Sequence, residues 1–134
     1  MTSRLHALDA SRSRRLSASG ARMQRKAAHA VVVRAGEATS AHHRLDLLAA
    51  LEAGQYGDGP LRSAIDQARR DVRANARHDE TLYRLACAYG AAWWALDPDP
   101  EVASQQAVYL ASFAVPDGSI ALVLDDVLTV GVTH

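Results

Sequence analysis

Five groupings in this chain of 134 residues carry side chains able to do chemistry. His42 and Asp46 stand four residues apart, a step that sets two metal ligands on one helix face. His43 points to another face and no second ligand pair lies nearby, so solvated histidines account for the pattern. His78-Asp79-Glu80 has acid–base groups in a row. Asp followed by Glu at the head of an apolar stretch is better explained as a helix cap. Asp125 and Asp126 could act as a carboxylate pair, but neighbours on a helix diverge by about 100°. Cys87 lies between Arg84 and Tyr89 with no base placed to ionise it, which makes it a structural thiol. Gly54, Gly57 and Gly59 resemble a phosphate cradle but lack the Lys-Ser/Thr that follows in a P-loop. There is no nucleophile elbow and no dinucleotide-binding glycine fingerprint. No catalytic residue, metal ligand or cofactor is assigned.

The elements that would position these groups read as helices. A first one spans about Ser40 to Ala53, capped by Thr39 or Ser40, with Leu45, Leu48 and Leu51 on one face and Gly54 at its end. A second opens with Pro60. Leu61, Ala64, Ile65, Ala68, Val72 and Ala76 recur along it at three- and four-residue steps. Arg62, Asp66, Arg69, Arg70, Arg73 and Arg77 take its other faces, with Arg62–Asp66 and Asp66–Arg70 as four-residue pairs. This reads as a solvated, ion-paired face rather than a nucleic-acid stripe. A third helix starts at Asp79 and buries Leu82, Leu85, Ala86, Tyr89, Trp93 and Leu96. Tyr83 and Trp94 widen its apolar arc, which makes both candidate partner contacts. Asp97-Pro98-Asp99-Pro100 breaks the chain and starts a fourth helix, in which Val102, Ala103, Leu110, Phe113 and Ala114 recur; Pro116-Asp117-Gly118 stops it. The tail from Ser119 reads as a helix in preference to a hairpin turning at Asp125-Asp126.

Charge divides the chain. Residues 1–35 hold eight Lys/Arg and one acid, a net +7; residues 36–134 hold seven bases and fourteen acids, a net −7. Leu5, Leu8, Leu16, Met23 and Ala27 form a weak helical stripe in the basic segment. Such an Arg- and Ser-rich, acid-poor leader has the composition of an organelle import signal. Val31-Val32-Val33-Arg34-Ala35 resembles the end of plastid transit peptides, which would make Arg34 and Ala35 a processing site. A second reading is a phosphate-binding arm using Arg12, Arg14, Arg15, Arg22, Arg25 and Lys26. It has no aromatic for base stacking. A third is an amphipathic segment packed on the acidic body, so that opposite charges meet within one molecule or between copies. The longest apolar run, Leu85 to Leu96, is too short for a membrane span, which takes about 20 residues. A single Cys excludes an internal disulfide.

Leu82-Tyr83-Arg84-Leu85-Ala86-Cys87-Ala88-Tyr89, the Asp-Pro break and the following Ala-rich helix resemble a tetratricopeptide unit, with Leu85, Ala86 and Tyr89 at its large-small-large positions and Ala103 and Ala107 in its second helix. The connection is longer than in that repeat and no second copy is present. The resemblance implies a helical hairpin that binds a peptide or packs in a complex.

The expectation is an all-α protein: a small bundle of four or five helices over 36–134 behind a basic leader, 1–35, that is disordered or cleaved. The functional expectation is a non-catalytic protein-interaction or assembly factor imported into a plastid or mitochondrion, with a protein partner. The alternatives are a small nucleic-acid-associated protein, an enzyme of unknown type, and a cytoplasmic location.

Overall fold

Asp79 and Asp99 each do what an N-cap requires. The Asp79 carboxylate accepts from the backbone N–H groups of Thr81 and Leu82, and that of Asp99 from Glu101 and Val102. Pro60 and Pro100 occupy the first turns of their helices, where a missing N–H is harmless. The computed structural model describes residues 4–41, 49 and 53–132. Among them are seven helices and no strand: α1 Arg4–Leu8, α2 Ala10–Ala18, α3 Ala21–Thr39, α4 Pro60–Ala74, α5 Glu80–Ala95, α6 Pro100–Ala114 and α7 Ser119–Val132. The all-α class is as expected, and the tail is a helix. The first expected body helix, with His42, His43, Asp46, Leu45, Leu48 and Leu51, falls almost entirely outside the described residues. Its proposed caps have another role. Thr39 is the last residue of α3, and Ser40 closes that helix in the left-handed region at φ 57°.

The core is built from small side chains. α6 lies at the centre, packed most extensively on α5 and α3 and touched by α1, α2 and α7. Ala103, Ala107, Ala111 and Ala114 recur along its buried side; α5 brings Ala88, Ala91, Ala92 and Ala95. Small faces let helix axes approach closely. Larger groups fill the remaining space: Leu16, Val31, Ile65, Leu96, Ile120 and Leu124 are all essentially inaccessible.

The basic leader is where the structure departs from the expectation of a loose segment. Leu5, Leu16, Ala27, Ala28, Val31, Val32 and Ala35 belong to the same core cluster as α5, α6 and α7. The boundary at 35/36 falls inside α3, which runs unbroken to Thr39. Gly20, at φ 89°, makes the corner between α2 and α3 that folds the leader back on itself. Of the expected stripe, Leu8 is the exception and stays exposed, because α1 ends there.

The opposite charges meet within the molecule, the third of the readings open for the leader. The Arg12 guanidinium bridges Asp9, at 2.7 Å, and Asp125 on α7, at 2.7 Å; Arg15 reaches the same Asp125 carboxylate at 3.0 Å. Held by Arg12, both Asp9 and Asp125 titrate below the usual carboxylate range, and Arg12 above its own. Arg25 donates to the carbonyls of Asp97 at 2.7 Å, Pro98 at 2.8 Å and Ala95 at 3.3 Å, a cation at the C-terminal end of α5. Its guanidinium also lies 3.6 Å from the Tyr56 ring centroid. Buried Ser13 donates its hydroxyl to Gln105 on α6 at 2.7 Å, and the Gln105 amide returns a bond to the Ser13 carbonyl at 2.9 Å.

Candidate functional site

Three of the four arginines of α4 stand at positions 62, 69 and 73, steps of seven and four that keep them on one side of a helix. That side faces α5. Arg62 closes one end of the contact, only 6% exposed, its guanidinium 3.7 Å above the Trp93 ring. Its Nε donates to the Trp93 carbonyl at 3.1 Å, and its two terminal nitrogens pair with Asp58 at 3.2 Å and Asp97 at 3.5 Å. The expected Arg62–Asp66 pair does not form. Asp66 is taken by Arg69 at 2.7 Å and Arg70 at 3.0 Å, so of the two expected four-residue pairs only Asp66–Arg70 is present.

Toward the other end of α4 the helices part and leave a cleft of about 240 Å³. Arg69 and Arg73 line it from α4 and Arg4 reaches it from α1. Tyr109, Leu110 and Phe113 of α6 form one wall and Tyr83, Cys87 and Gly90 of α5 the other. No acidic side chain lines it. Arg4 is held in place by the Gln106 amide oxygen, at 2.9 Å from Nε and 2.6 Å from a terminal nitrogen, and lies 4.7 Å from the Tyr109 ring centroid. Tyr109 and Phe113 meet edge to face at 5.1 Å. Arg73 makes no ion pair among the described residues. The Arg69 Nε is buried and finds no acceptor among them.

Gly90 sets the depth of the cleft. A Cβ at that position would stand 3.1 Å from the Leu110 Cδ1, which would have to give by a few tenths of an ångström, and 3.7 Å from the Arg69 Cδ, an ordinary contact. Cys87 is buried, and desolvation pushes its thiol above the ordinary range; the Tyr83 hydroxyl and Arg73 pull only partly the other way. The Tyr83 hydroxyl is itself raised, chiefly by Cys87. At neutral pH both groups keep their protons, and the thiol serves as wall rather than nucleophile.

The structure brings Tyr83 to this cleft, 49% exposed at its rim. Trp94 is half-buried three turns further along α5 and packs edge-on to Trp93 at 5.0 Å; it does not line the cleft. Of the six basic residues considered for phosphate contact, Arg12 and Arg15 are paired with Asp125 and Arg25 with backbone carbonyls, while Arg14, Arg22 and Lys26 are exposed. Arg34 and Ala35, the candidate processing site, sit within α3. Ala35 is inaccessible, and Arg34 is 3.8 Å from Asp117 and donates to the Ser119 hydroxyl at 3.2 Å. Among the described residues there is no cluster of three metal-binding side chains and no helix long and apolar enough to cross a membrane.

Compared with known proteins, the chain matches no family model, no curated protein and no solved structure.

Proposed function

We propose that this protein is a non-catalytic interaction factor whose contact site is the cleft between α4, α5 and α6, with Tyr83 and Arg73 at the rim. The observation that carries the reading is the composition of the cleft: three arginines and an aromatic wall with no acid lining it. Tyr, Phe and Arg are the residue types that dominate binding surfaces. The protonated thiol of Cys87 and the absence of a placed base leave the cleft suited to holding a group rather than converting it. The partner in this reading presents an anionic feature to the arginines.

An organelle-imported version draws its support from the composition of residues 1–35. In that version the segment stays attached after entry, because Leu16, Val31 and Val32 complete the core.

The test is capture of the native partner by the full-length protein beside its Arg73→Glu and Tyr83→Ala variants. Both positions are exposed, so both variants should keep the wild-type circular dichroism spectrum. The reading expects the partner to be retained by the parent and lost by at least about tenfold in Arg73→Glu, a change of about 1.4 kcal/mol. Equal retention by all three proteins rejects it.

A further inference from the structure

The shape and charge of the cleft define what it holds, on the condition that it is the contact site just described. We infer that it binds an oxyanion carried on a single flat apolar group: an arylalkyl carboxylate or an aryl phosphate, free or at the end of a partner's chain.

Three observations converge on this chemistry. The first is charge without compensation. Asp66 offsets Arg69, but Arg4 is held by a neutral amide and Arg73 has no acidic partner among the described residues. A guanidinium presents its donors as a planar fork matched to carboxylate and phosphate oxygens. The second is the Arg69 Nε. Its N–H is buried and has no acceptor among the described residues, and an unpaired buried donor is unfavourable. A turn of the Arg69 side chain, which is about one-third exposed, would bring that donor to an oxygen in the cleft. The third is the apolar half of the site. Tyr109 and Phe113 form an edge-to-face pair, Leu110 lies beside them, and Gly90 leaves the space that a side chain would fill. A volume of 240 Å³ lies below the ~300–1,000 Å³ of pockets for drug-sized ligands, which limits the apolar part to about one ring.

Each requirement excludes a simpler occupant. A bare phosphate would leave the aromatic wall uncovered, and a neutral ring would leave the Arg69 N–H unpaired. A ring bearing an oxyanion at one end meets both, with the oxygens toward Arg69 and Arg73 and the ring against Tyr109 and Phe113.

Isothermal titration of the full chain with phenylacetate, phenyl phosphate, inorganic phosphate and benzyl alcohol tests this. The expected result is binding of phenylacetate or phenyl phosphate at least about tenfold tighter than either inorganic phosphate or benzyl alcohol. The tighter of the two phenyl probes identifies the oxyanion. Arg73→Gln should weaken that probe by about tenfold. Gly90→Ala, which drives the Leu110 methyl toward the cleft, should weaken it as well, while both proteins keep the parental melting profile to within a few degrees. Benzyl alcohol binding as well as phenylacetate would mean an apolar pocket only. Inorganic phosphate matching phenyl phosphate would mean a diffuse cationic surface. Either result, or no heat from any probe at millimolar concentration, or an unchanged affinity in Arg73→Gln, overturns the inference. Failure here together with loss of the native partner in Arg73→Glu would leave the interaction reading standing with a different recognised group.

Discussion

Arg62 shows how much of this fold depends on single guanidinium groups. Its stem is buried, its charged plane stacks on Trp93, and its nitrogens reach a helix-end carbonyl and two aspartates. Asp58 is almost fully exposed and contributes little, whereas Asp97 is 20% exposed and the Trp93 carbonyl is enclosed with it. Arg62→Ala removes the stacking and leaves the Trp93 carbonyl with only the Leu96 N–H and the Asp97 carboxylate with only the Asp99 N–H. A loss of about 1.5–3 kcal/mol is expected from the lost stacking and the lost charged hydrogen bonds together. Urea denaturation measures it, and a loss below about 1 kcal/mol, the range of an exposed ion pair, would show the stacking geometry to be incidental. The sequence could not reveal this role. Helical periodicity separates apolar from charged positions, and an arginine counted as charged is assigned to solvent. The spacing of positions 62, 69 and 73 was the available signal, because it places three arginines on one side of α4. Tyr83 was legible as a rim residue because its position lies outside the buried stripe of α5. Arg4 and Tyr109 were not legible, because they reach the cleft from opposite ends of the chain.

Between elements, a polar link from leader to body is the Asp9–Arg12–Asp125 network joining the start of α2 to α7. Both carboxylates are held below their ordinary range by Arg12, so each is more acidic folded than unfolded. The sign follows from linkage. A depressed folded pKa gives stability that is fully present above the unfolded value, near 3.8, and is lost as pH falls through the folded value. Stability should therefore be insensitive to these two groups from neutral pH to about pH 5 and decline below about pH 4. Asp125→Asn should lower stability by about 1 kcal/mol at pH 7, since the network is about one-third exposed. The same variant should flatten the acid limb. Denaturation midpoints between pH 3 and 7 check both effects, and an acid limb of unchanged steepness in the variant would remove Asp125 from the account. The helices themselves were readable because their punctuation is local: Pro60, Asp79, Asp99 with Pro100, and Gly118 each mark a boundary found in the structure. The packing order was not readable. An alanine-rich α6 with no charge after Glu101 suggested burial on more than one side, but alanines carry no information about which helices they meet.

At the scale of the whole molecule, the division into a +7 segment and a −7 body is a pattern of self-recognition. Composition alone could not separate an import signal from a packed segment, because both are basic, amphipathic and poor in acids. In the folded chain the segment is packed. Residues 4–35 supply Leu5, Leu16, Val31 and Val32 to the core along with three fully buried alanines. Deleting a buried Leu side chain alone is unfavourable by about 2–5 kcal/mol. Removing all of these groups exceeds the ~5–15 kcal/mol that stabilises a typical domain. A chain beginning at Gly36 should therefore show weak helical circular dichroism and no cooperative melting transition. Adding a peptide of residues 1–35 should restore helicity, because the α6 and α7 surfaces it covers are otherwise exposed, and the restoration should weaken with salt as Arg12, Arg15 and Arg34 lose attraction for Asp125 and Asp117. A truncated protein that melts cooperatively within a few degrees of the full chain would mean that the body folds without the basic helices, and that their burial in α6's groove adds stability without defining the fold.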